Sequence, residues 1–229
     1  MANVLTLKNI KKTYGTVVKT EVLHGIDLHV DDNAFMSIIG QSGSGKSTLL
    51  NIMGTLDTPT EGDVFIYGKD TSKMNKNALA KLRNETLGFI FQYHYLLPEF
   101  TALENILMPY RMQHAKVSKA IHDYALELID LVGLTEVKDN LATEMSGGQM
   151  QRVAIARALI NKPKIILADE PTGSLDSDTT DKVYSLLRKI HKTYQTTFII
   201  ITHNKDIAEK TDRMIELTDG NISLDIDLT

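Results

Sequence analysis

Eight consecutive residues, Gly40-Gln41-Ser42-Gly43-Ser44-Gly45-Lys46-Ser47, carry the plainest chemistry in the chain. Three glycines let the backbone close into a nest of N–H donors, and a helix beginning behind it adds its positive end; together they suit a polyphosphate. Lysine and a hydroxyl follow the last glycine at the offsets that put an ammonium on the β- and γ-phosphates and Ser47 on magnesium. This is the P-loop pattern, and Thr48 joins it as a nucleotide-binding residue. A second chemistry lies in Asp169-Glu170, which end the apolar run Ile165-Ile166-Leu167-Ala168. Carboxylates at the C-terminal end of a buried strand stand where open α/β sheets bind ligands. Alone the pair reads equally as a solvated acidic turn; beside a P-loop, Asp169 is expected to hold magnesium and Glu170 to polarise the attacking water. Third, Ser146-Gly147-Gly148-Gln149 heads a run periodic in Val153, Ile155, Ala156, Ala158 and Leu159. Paired glycines at a helix N-terminus make a second anion site.

These groups need a scaffold, and the spacing of apolar residues predicts one. Met1 to Ile10 alternates like an edge strand, and Val22 to Val30 presents one buried face. Phe35 to Ile39 is a strand that delivers the P-loop, and Lys46 to Met53 is the helix behind it. Val64 to Tyr67 extended, Ala78 to Arg83 helical and Gly88 to Phe91 extended continue an α/β alternation. Between Thr101 and Val132 apolar residues recur only at helical spacing, which predicts a helical lobe. After it come a helix over Ser146 to Ile160, a strand over Ile165 to Ala168 and a helix over Lys182 to Ile190. Strands over Phe198 to Ile201 and Met214 to Leu217 follow, the latter a last strand closed by the Asp219-Gly220 turn.

Composition narrows the function classes. The 229 residues, 42% of them hydrophobic, support one large domain and not two nucleotide-binding units. Lys plus Arg number 25 against 29 acidic residues, so the balance does not favour a nucleic-acid partner. With no cysteine, disulfides, zinc–thiolate sites and thiol catalysis drop out. No apolar segment resembling a signal peptide opens the chain, and none approaches the roughly 20 residues needed to span a bilayer. If the protein works at a membrane, another chain is expected to supply the span.

Met145 to Leu159 resembles the signature motif of ABC ATPases, and the resemblance extends over nearly the whole chain. It implies an ABC ATPase fold: an α/β P-loop NTPase core with a mixed sheet, an antiparallel β subdomain and a helical subdomain. Residues 1–92 and 161–229 would form the core and β subdomain, and 93–160 the helical one. It also implies that Ser146, Gly147, Gly148 and Gln149 act on the nucleotide of the opposite subunit, so the working unit is a head-to-tail homodimer bridged by two ATP molecules with Mg2+. Tyr14 resembles the aromatic that stacks on adenine, and Gln92 the glutamine that senses magnesium and the γ-phosphate. Ser174-Leu175-Asp176 resembles the loop that crosses the dimer interface, and His203 the switch histidine at the γ-phosphate. Departures are mild: Met145 replaces a leucine of similar volume, Asn33-Ala34 stands where Gly-Glu is common, and Asn204 replaces an aspartate that caps a helix.

The stretch Tyr93-His94-Tyr95-Leu96-Leu97-Pro98-Glu99-Phe100-Thr101-Ala102-Leu103-Glu104-Asn105 is similar to that of the lipoprotein-releasing group of ABC ATPases. Gly54 to Pro59 points to the same group, which includes macrolide and antimicrobial-peptide exporters and a division-associated ATPase. The resemblance implies an integral membrane permease contacted near Gln92 to Thr101, at the cytoplasmic face of the inner membrane, and service in lipoprotein release, with a macrolide or antimicrobial-peptide exporter or a cell-division or cell-wall-regulating complex as alternatives. His94, Tyr95 and Phe100 read equally as packing on the helical lobe or as exposed contacts for that partner.

Overall fold

The computed structural model describes residues 3–228, and its strands form two sheets. The first is antiparallel, in the order β2 (Thr20–Asp31), β1 (Asn3–Tyr14), β4 (Glu61–Ile66), β5 (Lys69–Asp70). The second runs β10 (Asn221–Asp227), β9 (Arg213–Thr218), β3 (Phe35–Ile39), β8 (Thr197–Ile201), β7 (Ile165–Asp169), β6 (Leu87–Phe91). Its five strands β9 to β6 are parallel and β10 is antiparallel to β9.

Strands covered on both faces are apolar throughout, and β3, β8 and the first four residues of β7 are fully buried. Alternate side chains serve two cores. Phe35, Ile166, Ala168, Phe198 and Ile200 face one that includes α3 (Ala102–Arg111), α4 (Lys119–Leu131), α5 (Gly147–Leu159) and α6 (Ser177–Tyr194). Met36, Ile38, Ile165, Leu167, Ile199 and Ile201 face the other, built with α1 (Lys46–Met53) and the antiparallel sheet. A short α2 (Lys76–Thr86) precedes β6, and α7 (Lys205–Ala208) follows β8.

Four expectations change. The N-terminal strand is interior, because β1 pairs with β2 on one side and β4 on the other; alternation reports a buried face and says nothing about which edges are paired. Met1 and Ala2 lie outside the described residues. Tyr67 leaves its strand at φ 48 and with Gly68 turns the chain into β5. The Asp219-Gly220 turn, φ 45 and 70, does not close a last strand but joins β9 to a further one, β10, as such a pair does in a two-residue hairpin. The helix expected over Lys182 to Ile190 starts at Ser177, capped by Asp176, and runs to Tyr194. Met145 is buried in the first core, Asn33 takes the left-handed φ 58, and Asn204 caps α7.

The loop between β6 and α3 is held from beneath by Asn105, only 1% exposed. Its amide accepts from Leu97 N at 2.8 Å and donates to the carbonyls of Leu97, Phe100 and Thr101 at 3.0–3.1 Å. Asn105→Ala removes these four hydrogen bonds of a buried amide at once, and is expected to cost about 2–4 kcal/mol. Urea unfolding followed by circular dichroism measures it; an unshifted midpoint would mean that the loop re-satisfies those groups by itself.

Candidate active site

Gly40 leaves β3 at φ 155, and a Cβ there would stand 2.2 Å from Leu217 O and 2.6 Å from Ser44 Oγ, so the loop closes only on glycine. The loop then wraps Lys46, whose Nζ donates to Gly40 O at 2.8 Å and Gln41 O at 2.7 Å. Burial lowers the lysine pKa, opposed by the charges of Glu170 and Asp169. Its ammonium is thus anchored in the loop, 3.5 Å from the buried Ser44 hydroxyl, and facing two carboxylates.

Across from it β7 ends at Asp169, and the next residue, Glu170, adopts φ 46. A left-handed glutamate costs on the order of 1 kcal/mol. The turn is held by Glu170 N donating to Ile201 O at 3.0 Å, and it brings Oε1 to 2.9 Å from His203 Nδ1, beyond the end of β8. Ser47 Oγ donates to Asp169 Oδ1 at 3.4 Å. Burial raises the Asp169 pKa, with Glu170 adding to the rise and the Ser47 hydrogen bond opposing it. A hydroxyl and a carboxylate oxygen this close fit adjacent positions on a small, hard, octahedral cation such as Mg2+.

The structure therefore brings together most of what the sequence singled out. Ser42, Gly43, Gly45, Lys46, Ser47, Thr48, Glu170 and His203 line one open cavity of about 510 Å³, walled also by Val22 and Ile201. Tyr14 is not among the residues that line it; its hydroxyl donates to Asp57 Oδ2 at 2.7 Å. Gln92 lies against the turn after Glu170: a Cβ on Gly173 would meet its Nε2 at 2.9 Å, and Ser174 Oγ donates to Gln92 O at 3.3 Å.

Ser146, Gly147, Gly148 and Gln149 are elsewhere. Ser146 caps α5 in a reciprocal box, accepting from Gln149 N at 3.3 Å while its own N donates to Gln149 Oε1 at 2.8 Å. Gly147 and Gly148 approach Leu175 and Thr179 of the same chain, not its P-loop. Asp176 caps α6, accepting from Thr179 N and Oγ1 at 2.9 and 2.8 Å; these hydrogen bonds hold its pKa below the usual carboxylate range.

A second cavity, of about 500 Å³, opens between α2, α3, α5 and β6. Its walls are largely apolar, with Leu56, Phe89, Phe91, Tyr95, Pro109 and Met112, and two arginines, Arg83 and Arg157. Among the described residues no carboxylate lines it. Arg83 donates to Thr55 O at 2.9 Å, and Arg157 to His94 O at 2.5 Å and Tyr95 O at 2.7 Å. Of the two readings left open for this loop, packing holds for His94 and exposure for Tyr95: Tyr93 and Tyr95 are exposed, but His94 is buried, because successive left-handed residues, φ 59 and 47, turn its ring inward while Arg157 takes both carbonyls. Phe100 is half-buried. Sequence reasoning passed over Arg157, whose signal was a lone charge within the apolar run Val153 to Leu159. It also passed over Lys12 and Asp57, which hydrogen-bond to each other at 2.7 Å beside Tyr14.

The profile of the ABC transporter family matches residues 23–173. The chain is 51% identical, over 97% of its length and 100% of the relative's, to the lipoprotein-releasing system ATP-binding protein LolD 1 of Rhodopseudomonas palustris. It is 48% identical to LolD of Shewanella frigidimarina over 94% of this chain and 90% of that one. Among solved structures it resembles the dimeric ATP-binding cassette MJ0796 in a post-hydrolysis state bound to ADP and Pi, with TM-score 0.90, 40% identity and coverage of 98% and 99%. P-loop, glycine-headed helix, acidic strand end and His203, in this order and on this fold, agree with those likenesses: the chain belongs to the ABC transporter family and is an ATPase.

Proposed function

We propose that this chain is the ATPase subunit of a complex that releases lipoproteins from the inner membrane, seated peripherally on the cytoplasmic face. Its 51% identity to a lipoprotein-releasing ATPase along nearly the whole of both chains carries the reading. Among the described residues no helix is long and apolar enough to cross a membrane, so the span is assigned to a separate permease. The apolar groove bordered by Tyr95 supports a docking surface near Gln92 to Thr101. We take the chain as one ABC ATPase domain, with 93–160 as its helical subdomain.

The phosphates lie in the loop Gly40 to Gly45, with Lys46 turning from the loop carbonyls to neutralise the charge that develops on the γ-phosphate. Ser47, Asp169 and Gln92 would hold Mg2+, which would supply positive charge to neutralise the phosphates. Glu170 accepts a proton from water oriented for in-line attack, and its hydrogen bond to His203 fixes the carboxylate's direction. Tyr14 stacks on adenine. Because Ser146 to Gln149 lie away from the P-loop of their own chain, they are free to close over the nucleotide of a second copy, with Asp176 near the seam. Two ATP molecules then join two chains head to tail, and hydrolysis removes the bridge.

Three results are expected. Glu170→Gln retains ATP but turns it over about 10²–10⁴ times more slowly in a phosphate-release assay; wild-type turnover would remove Glu170 from the proton transfer. Ser146→Arg binds nucleotide as a monomer and fails to dimerise with ATP in size-exclusion chromatography, whereas an intact ATP-dependent dimer would exclude the head-to-tail arrangement. Captured with ATP from its native membrane, the Glu170→Gln chain brings down a permease with a large extracytoplasmic domain and bound lipoprotein; a different membrane partner keeps the ATPase and overturns the assignment to lipoprotein release.

A further inference from the structure

Tyr14 is not a free aromatic at a pocket rim. Its hydroxyl donates to Asp57 Oδ2 at 2.7 Å. Lys12, two residues back on the same strand and so on the same face, donates from Nζ to Asp57 Oδ1 and to Thr58 O, both at 2.7 Å. The ammonium also stands 4.7 Å from the centroid of the Tyr14 ring. Asp57 accepts a third time, from Thr58 N at 2.7 Å. Lys12 is 8% exposed while Tyr14 keeps 42% of its surface open.

A surface tyrosine that must be ordered by its ligand gives up part of the stacking free energy to that ordering. Here two points fix the ring before any base arrives: the hydroxyl end on Asp57 and one part of its π surface under the Lys12 ammonium. We propose that Asp57 and Lys12 are positioning residues for the nucleotide base, holding the Tyr14 ring in the orientation in which its open surface receives adenine. The inference rests on the reading of Tyr14 as the stacking residue. Burial alone would raise the Asp57 pKa, but the hydrogen bonds from Lys12, Tyr14 and the Thr58 amide outweigh it and keep the carboxyl ionised.

Two probes separate base from phosphate recognition: ADP, and inorganic pyrophosphate, which has no base. Their affinities are measured by titration calorimetry on the purified full-length chain with magnesium. Asp57→Asn is expected to weaken ADP about 3- to 10-fold and leave pyrophosphate unchanged. Tyr14→Phe, which keeps the ring and loses its anchor, should lose a similar factor, and the double variant should lose no more than either single one, since both cut the same bond. Lys12→Gln should repeat the selective loss and serves as the deciding variant if Asp57→Asn does not fold. Equal weakening of both probes would make Asp57 a support of the P-loop and overturn the proposal. So would unchanged ADP binding in Asp57→Asn where Tyr14→Ala weakens it, an outcome that leaves stacking intact. Unchanged ADP binding in Tyr14→Ala would remove the stacking reading and the proposal together.

Discussion

One row of three paired residues sets the geometry of the site. Ile38 of β3 pairs with Ile201 of β8, and Ile201 with Asp169 of β7, in parallel register. The candidate site residues are counted from that row: Gly40 is two residues past Ile38, His203 two past Ile201, Glu170 one past Asp169. Adjacent strands lie about 4.8 Å apart, so the P-loop and the carboxylates face each other across the width of β8. A one-residue slip of β8 would send its alternate side chains to the opposite face, moving Phe198 and Ile200 out of one core and Ile199 and Ile201 out of the other. Two cores thus lock a register that the chemistry alone could not enforce.

The site itself holds what a stable surface would avoid. Lys46 and Asp169 are both buried enough to shift toward their neutral forms, and Glu170 sits in a left-handed backbone. Each burden has a partner close by: the loop carbonyls for Lys46, the Ser47 hydroxyl for Asp169, His203 and the carbonyl of Ile201 for Glu170. A polyphosphate with a divalent cation supplies opposite charge to both sets of groups at once. The carboxylates already stand at the strand ends where that charge would arrive, while Lys46 has to exchange its loop carbonyls for phosphate oxygens.

What was legible in the chain depends on how local the physics is. Gly40 to Ser47 and Ser146 to Gln149 are contiguous, and their backbone conformation is decided within a few residues; the turn into α1 and the capped, glycine-headed start of α5 were both readable from residue type and order. Asn33 and Asn204 were likewise read from local backbone and capping needs. The position of β1 inside its sheet was not legible, since its second partner, β4, is 50 to 61 residues away and alternation is the same at an edge. β10 escaped because Ile222, Leu224 and Ile226 are not deeply buried and leave a weak pattern, although the Asp-Gly pair before them was already a hairpin signal. Asp57 and Lys12 were hidden by 45 residues of separation, and the inward turn of His94 by its dependence on an arginine 63 positions away.

That arginine joins two regions that the sequence presents as unrelated. Ser146 caps the first turn of α5 and Arg157 lies in its last, 11 residues on, which at 1.5 Å per residue is about 16 Å along one rigid rod. At one end stand the groups assigned to a second chain's nucleotide; at the other a guanidinium grips the backbone of His94 and Tyr95 beside the apolar groove. A helix packed along most of its length, with Val153 to Ala156 fully buried, does not bend to let one end move alone. Tilting α5 at its glycine end therefore displaces the carbonyls held at the other, and those carbonyls belong to two residues already in left-handed conformations. The loop that borders the groove is tied to the signature motif through a continuous helix and two hydrogen bonds, without passing through the P-loop.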